Sequence, residues 1–140
     1  MLYLDTSLLV AAFTHEATTD RAWTLLKRSR SEPLLVSEWV STEFAAAMSR
    51  KLRMREIEDA YHSEAMVLFA KQVSDSMEVA TVTTAHFKEA TRFAAELRLG
   101  LRAGDALHVA IAAERNATLV TLDKRMAAAA KTLGIPSRLL

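Results

Sequence analysis

The chain has 140 residues and carries 18 Lys and Arg against 17 Asp and Glu, a formal net charge of +1. This length predicts one domain, residues 1–140, and the absence of cysteine excludes disulfide scaffolds, zinc fingers, iron–sulfur clusters and thiol nucleophiles. The three glycines are not clustered as in P-loops or dinucleotide-binding loops, which makes those nucleotide sites unlikely. The balanced charge also excludes a uniformly basic coat for nucleic acid.

Short apolar segments alternate along the chain with longer Ala-rich segments of helical period, a pattern that predicts an α/β domain with a central parallel sheet. In chain order we predict a strand at 2–4, helices at 7–13 and 19–30, a strand at 34–36, helices at 38–52 and 55–73, a strand at 78–82, helices at 84–97 and 105–115, a strand at 118–121, a helix at 124–133 and a strand at 137–139. We expect the five strands to form one sheet flanked by the helices.

The apolar N-terminal segment MLYLDTSLLVAAF contains Asp5 and lacks the basic start of a signal peptide. No stretch approaches the roughly 18 apolar residues that a membrane span requires. We therefore expect a cytoplasmic protein that does not associate with membranes.

Three acidic residues lie at the ends of predicted strands or at the start of a predicted helix, in the region where parallel sheets bind ligands. Asp5 comes directly after the first strand, Asp123 comes two residues after Thr121 at the end of the fourth, and Asp105 opens the helix that leads into the fourth strand. Ligands of open parallel sheets bind beyond the carboxyl ends of the strands. The positions predict that these carboxylates meet at one edge of the sheet.

A fourth acid, Glu43, lies on the apolar face of a predicted helix. This apolar stripe consists of Val40, Phe44, Ala47 and Met48. A carboxylate on a core-facing stripe is costly to desolvate unless a partner compensates its charge. Glu38 lies nearby as an alternative, but the helical spacing favours Glu43.

A divalent cation would remove the repulsion between four converging carboxylates and keep them ionised. Oxygen ligands without His or Cys favour Mg²⁺ or Mn²⁺ over Zn²⁺. Such a site activates a water and stabilises the leaving oxygen in phosphodiester hydrolysis. The competing interpretation is structural, because Asp5, Asp105 and Asp123 each stand where aspartate caps a helix N-terminus, and Glu43 could pair with Arg50.

The segments YLDTSLLV, the helix carrying Glu43, LRAGDALHVA and ATLVTLDKRM resemble, in order and spacing, the PIN-domain family and specifically the VapC-type toxins of bacterial toxin–antitoxin pairs. The resemblance implies a five-stranded parallel sheet, an endoribonuclease that depends on Mg²⁺ or Mn²⁺, inhibition by a small antitoxin protein, and a homodimer. It assigns metal-site roles to four acids, with two hydroxyls as candidate polar support: Asp5, Glu43, Asp105 and Asp123, then Ser7 and Thr121.

Cations beside an acidic site would attract RNA, because phosphate neutralisation supplies most sequence-independent affinity. Arg98 and Arg102 flank the loop that leads to Asp105 and are the candidate RNA contacts. The histidines show no pairing typical of a His-based ribonuclease, and His108, three residues after Asp105, is interpreted as a hydrogen-bonded helix histidine.

Two rival functions remain open at this stage. The first is a PIN-fold RNA- or protein-binding module that has lost catalysis, although all four acids are present. The second is a phosphatase with Asp5 as nucleophile, although such enzymes usually carry a second aspartate two residues later, where this chain has Ser7. Assigning four of the 17 acids to a metal site would leave the rest of the protein mildly basic, consistent with an RNA substrate.

Overall fold

The computed structural model describes residues 1–28 and 32–140. Its strands and helices follow in chain order: β1 (Leu2–Leu4), α1 (Thr6–Phe13), α2 (Thr19–Arg28), β2 (Leu34–Ser37), α3 (Glu38–Arg53), α4 (Asp59–Ser76), β3 (Met77–Ala80), α5 (Thr84–Ala95), α6 (Ala103–Glu114), β4 (Thr118–Thr121), α7 (Lys124–Thr132) and β5 (Ser137–Leu139).

The five strands form one parallel sheet in the order β3-β2-β1-β4-β5, which confirms the predicted fold class. The chain builds outwards from β1 to β3 and then returns to the other side of β1 to place β4. The strand order therefore reverses between β1 and β4, where Leu2 pairs with Thr118 and Leu4 with Val120. Such a reversal leaves a crevice at the carboxyl ends of the two strands.

The centre of the sheet is fully buried. All residues of β1 and β2 are buried, as expected for parallel strands covered on both faces. Helix α6 is buried at seven consecutive positions from Ala106 to Ala112, so this helix lies inside the domain.

Helix α3 is anchored by an aromatic cluster beneath its apolar stripe. Phe44 stacks on Phe69 of α4 with ring centroids 3.9 Å apart, and both rings make T-shaped contacts with Phe13 from α1. Val40, Phe44 and Met48 are completely buried, so this face of α3 is fixed against the domain.

Several element boundaries differ from the predicted ones. Helix α4 begins at Asp59 rather than at residue 55, because Arg55 has a φ of 57° and interrupts the helical backbone. Strand β3 covers Met77–Ala80 instead of 78–82, α5 ends at Ala95, and α6 begins two residues before Asp105. Residues 29 and 30 of the second predicted helix lie outside the described residues.

Ser37 and Thr83 cap α3 and α5, since each hydroxyl accepts a backbone N–H three residues later. Gly134 follows α7 with a φ of 74°, the left-handed conformation typical of a residue just beyond a helix. Across residues 1–28 and 32–140, no helix combines the length and apolar character needed to cross a bilayer.

Candidate active site

The candidate site lies at the carboxyl ends of β1 and β4, where the strand order reverses. Asp5 directly follows β1, and its backbone N–H donates to the carbonyl of Val120 in β4 at 3.2 Å. Asp123 precedes α7 beyond the end of β4, and the N-terminal turns of α3 and α6 bring in Glu43 and Asp105. All four predicted acids therefore belong to elements that meet at this edge.

Asp5 is a buried carboxylate held by hydroxyl and amide donors. Its exposed fraction is 2%. The Ser7 hydroxyl lies 2.8 Å from each carboxylate oxygen, the Thr121 hydroxyl donates to Oδ2 at 2.9 Å, and the backbone N–H of Leu8 donates to Oδ1 at 3.2 Å. The two residues predicted as polar support thus both contact Asp5.

Burial raises the pKa of Asp5 above its ordinary value, although the charge of His108 and the donors from Ser7, Thr121 and Leu8 oppose this effect. No Lys or Arg forms an ion pair with Asp5 in the part of the chain that the structure describes. The buried carboxylate is therefore stabilised by neutral donors that only partly replace its hydration.

Glu43 points from α3 towards the end of β1 and towards α6. The Thr6 hydroxyl donates to its Oε2 at 2.6 Å, and Nε2 of His108 lies 2.6 Å from the same oxygen. The expected alternative partner Arg50 is not used, because Glu43 turns to these buried groups instead. Glu38, the alternative acid, accepts the backbone N–H of Val82 at 3.1 Å and is exposed.

Partial burial opposes ionisation of Glu43, but the hydrogen bond and charge of His108 together with the Thr6 hydroxyl outweigh it and hold its pKa below the ordinary value. The indole N–H of Trp39 also favours the ionised form, although its geometry falls short of a hydrogen bond. Trp39 Nε1 is accordingly a buried polar atom without a hydrogen-bond partner among the described residues.

Gly104, in the first turn of α6, lies against Oε1 of Glu43. A Cβ atom at this position would stand 2.7 Å from Oε1 of Glu43 and 3.5 Å from the Trp39 ring. No ordinary Cβ contact is that short, so the glycine immediately before Asp105 leaves the space that the Glu43 carboxylate occupies.

Asp105 lies in the first turn of α6 and is partly exposed. Its Oδ2 accepts the backbone N–H of Arg102 at 3.2 Å, and the guanidinium of Arg125 from α7 lies 3.6 Å away. Asp105 therefore faces solvent beside two arginines, one on the preceding loop and one on the neighbouring helix.

Asp123 caps α7, since its Oδ1 accepts the backbone N–H groups of Arg125 and Met126 at 2.7 and 3.0 Å. Its own N–H donates to the Thr121 hydroxyl, which in turn donates to Asp5. Asp5 and Asp123 are thus linked through one threonine, and both serve the capping role considered from the sequence.

The structure brings the four acids to one edge and gives each of them protein hydrogen-bond donors. Within residues 1–28 and 32–140, no three His, Cys, Asp or Glu side chains are grouped closely enough to form a ready metal site.

The candidate RNA contacts lie on the loop between α5 and α6. Arg98 is largely exposed and pairs with Glu96 at 2.9 Å, and Arg102 is exposed at the start of α6. Arg125, which the sequence analysis did not select, extends this basic surface towards Asp105.

Sequence reasoning also did not select Thr6 as a contact of Glu43 and did not connect His108 to it. His108 is a buried hydrogen-bonded helix histidine as interpreted, with an exposed fraction of 2%. The spacing of His108 one turn after Asp105 placed it near the site, but nothing in the sequence indicated Glu43 as its partner.

The chain belongs to the PIN domain family, whose profile matches residues 2–132. A search among curated protein sequences gave no significant match. The sequence resemblance to the PIN family is therefore confirmed over nearly the whole chain.

Solved structures with the same fold include one that is described as a toxin. VapC20 from Mycobacterium tuberculosis, described as a Sarcin-Ricin loop cleaving toxin, superposes with a TM-score of 0.74 at 20% identity, covering 92% of this chain and 95% of that one. VapBC2 from Rickettsia felis, bound to promoter DNA, superposes with a TM-score of 0.70 at 19% identity. The match covers 99% of this chain and 98% of that one. FitAcB from Neisseria gonorrhoeae also superposes with a TM-score of 0.70, at 14% identity, over 98% of this chain and 96% of that one.

We predict that replacing Asp5 by Asn removes a pH-dependent cost to stability. Because burial raises the pKa of Asp5, the folded protein binds a proton that the unfolded chain releases, so wild-type stability falls as pH rises through this interval. The difference in unfolding free energy between the Asp5→Asn variant and wild type should therefore grow in favour of the variant from about pH 4 upwards. The growth should reach up to about 1.4 kcal/mol per pH unit.

Urea unfolding at a series of pH values in chelator measures this difference. Asp75→Asn, at an exposed position near the end of α4, supplies the background for an ordinary carboxylate. A difference for Asp5→Asn that stays flat with pH, as for Asp75→Asn, would contradict the prediction.

Proposed function

We propose that this protein is a metal-dependent endoribonuclease that hydrolyses RNA phosphodiester bonds and acts as the toxin of a VapBC-type toxin–antitoxin pair. The observation that supports the proposal is that four acids, Asp5, Glu43, Asp105 and Asp123, lie on or next to elements that meet where strand order reverses in a PIN domain. Ligands of parallel sheets bind at such a point.

The donor set fits a hard divalent cation such as Mg²⁺ or Mn²⁺. Carboxylate oxygens are the ligands these ions prefer. The buried Asp5 carboxylate lacks a Lys or Arg partner among the described residues, and the Glu43 carboxylate occupies a space kept free by Gly104. A cation at this edge would supply the charge that neutral donors do not.

In this proposal Asp5, Glu43 and Asp105 hold the ion, and Asp123 is a ligand or supports one. Once bound, the ion would supply charge neutralisation at the scissile phosphate and activation of water. Ser7 and Thr121 keep both oxygens of Asp5 oriented, and Thr6 and His108 do the same for Glu43.

In this proposal the arginines around the acids bind the RNA backbone. Arg98 and Arg102 are exposed on the loop before α6, and Arg125 reaches Asp105 from α7. Positive charges at the rim of an acidic site let a polyanion approach, because phosphate contacts release condensed counterions.

The residue two positions after Asp5 disfavours the rival phosphatase with Asp5 as nucleophile, because it is Ser7 and not the second aspartate that such enzymes usually carry. The Ser7 hydroxyl contacts both oxygens of Asp5 and supplies no second carboxylate. The other rival, a binding module without catalysis, differs from the proposal only in cleavage and is separated from it by the assay below.

The proposed partners follow from the structural neighbours. VapC20 is described as a Sarcin-Ricin loop cleaving toxin, and VapBC2 and FitAcB share its fold. These neighbours support an RNA substrate and a cognate antitoxin partner for this chain, and we propose that it acts in the cytoplasm. We further propose a homodimer, which sedimentation of the purified protein would test.

We predict that the purified protein cleaves structured RNA in Mg²⁺ or Mn²⁺ and is inactive in chelator. Removing one ligand charge with Asp5→Asn, Glu43→Gln or Asp105→Asn should lower the rate by a factor of about 100 or more, since each charge helps to hold the ion. The measurement is the initial rate of cleavage on a defined RNA, followed on a sequencing gel.

Asp75→Asn is the matched control and should cleave like wild type. It lies where α4 leads into the amino end of β3, at the opposite edge of the parallel sheet. Cleavage that persists in chelator, or that is equal in wild type and Asp105→Asn, would contradict a metal-dependent nuclease.

We predict that Arg98→Ala and Arg102→Ala weaken RNA binding through lost phosphate contacts. Each change should raise KM several-fold with little effect on kcat, and should reduce the slope of log affinity against log salt by about 1. Lys71→Ala, an exposed cation on α4, is the control. Slopes identical to that of the Lys71 variant would remove these arginines from the RNA interface.

We predict that induced expression of the wild-type chain arrests bacterial growth, whereas expression of Asp105→Asn does not. Loss of an essential RNA explains the arrest, and the variant lacks only a carboxylate charge at the site. Growth curves after induction, with immunoblots to match protein levels, provide the measurement. Equal arrest by both proteins would separate any toxicity from catalysis.

A further inference from the structure

We propose that Tyr3 and His108 are positioning residues that fix the Glu43 carboxylate in the orientation in which it takes up the divalent cation. The inference rests on the proposed function, because it concerns the same site. Neither residue belongs to the acidic set, and both lie behind Glu43, on the side away from solvent.

A continuous line of side-chain hydrogen bonds joins the central strand to Glu43. The Tyr3 hydroxyl lies 2.9 Å from the Ser37 hydroxyl and 2.9 Å from Nδ1 of His108. Nε2 of His108 lies 2.6 Å from Oε2 of Glu43. The line thus crosses from β1 to α6 and ends on α3, whose N-terminus Ser37 also caps.

The hydrogen bonds can be assigned a consistent direction. An ionised carboxylate only accepts, so Nε2 of His108 donates to Glu43. The Ser37 hydroxyl accepts the backbone N–H of Val40, which leaves its own hydrogen for Tyr3. The Tyr3 hydroxyl lies between Ser37 and Nδ1 of His108 and can donate to one while it accepts from the other, so every group in the line is satisfied for either charge state of the ring.

Burial makes this line rigid. Tyr3 and Ser37 have no exposed surface, and His108 has 2%. Burial also raises the pKa of Tyr3, so its hydroxyl stays a donor. A carboxylate held from behind by such groups has fewer orientations to lose when it binds an ion.

Gly104, one turn before His108 on α6, limits the other oxygen of the same carboxylate, since a Cβ would stand 2.7 Å from Oε1. Oε2 is held by His108 and Thr6, whereas Oε1 faces Gly104, next to Asp105. The two oxygens therefore have different environments, with Oε2 taken up by the protein and Oε1 at the margin of the site.

The test compares Mn²⁺ affinity, measured by the paramagnetic resonance of free ion, in folded variants without RNA. Tyr3→Phe removes the hydroxyl that orients the histidine and should weaken Mn²⁺ binding by a factor of about 10 to 100. Tyr61→Phe is the matched control, because it loses a hydroxyl that donates to the carbonyl of Phe13, at 3.1 Å, with no link to Glu43.

Two substitutions of the histidine separate positioning from packing. His108→Gln places an amide N–H near the former Nε2 and should retain most of the affinity, whereas His108→Asn places its amide near Nδ1 and should lose it. Gly104→Ala adds a Cβ that displaces Oε1 of Glu43. This variant should bind Mn²⁺ more weakly while its thermal unfolding midpoint stays close to that of wild type.

A measurement on the wild-type protein covers the case in which a buried variant fails to fold. In ¹⁵N-labelled protein, saturating Mg²⁺ should shift the Nε2 resonance of His108 and leave that of His86, a buried histidine on α5, unchanged. Unchanged His108 resonances, or equal Mn²⁺ affinity in Tyr3→Phe and Tyr61→Phe, would overturn the inference. Equal Mn²⁺ affinity in wild type and Asp5→Asn would instead overturn the proposed metal site itself.

Discussion

Burial of the Asp5 carboxylate is the constraint on which this site depends. A carboxylate with an exposed fraction of 2% needs donors on every side, and here they come from the first turn of α1 and from Thr121 at the end of β4. The Thr121 donor is in place because β1 and β4 are hydrogen-bonded neighbours. Pairing of the two strands at the reversal of strand order therefore creates both the crevice and the means of keeping an acid inside it.

Glu43 depends on the core in a different way. Its helix is fixed by Phe44 against two further aromatic rings, and its carboxylate is met by Thr6 and by His108. The groups that stabilise the centre of the domain are thus the groups that orient the acid. Stability and function are coupled here, because a change in the buried line behind Glu43 reaches the site without touching an acidic residue.

The sequence was sufficient for the fold class, for all five strands and for the segments that carry the four acids. Those features follow from local patterns, such as the apolar run before Asp5 and the stripe that includes Glu43. The partners of the acids were not predictable in the same way. Glu43 meets Thr6 and His108, which lie 37 and 65 residues away in sequence, and only the packing of α1, α3 and α6 brings them together. The start of α4 was likewise missed, because the left-handed backbone at Arg55 has no glycine to indicate it.

The capping roles of Asp5 and Asp123 have a consequence for how relatives of this chain should be compared. Both acids hold the first turn of a helix, so selection for folding alone would keep Asp or Asn at these positions even in a descendant that had lost its chemistry. Glu43 caps no helix, and its space depends on a neighbouring glycine. In an alignment of such proteins, a glutamate at position 43 together with a glycine at position 104 would therefore distinguish catalytically active members from inactive ones. This pair would do so better than the two capping aspartates.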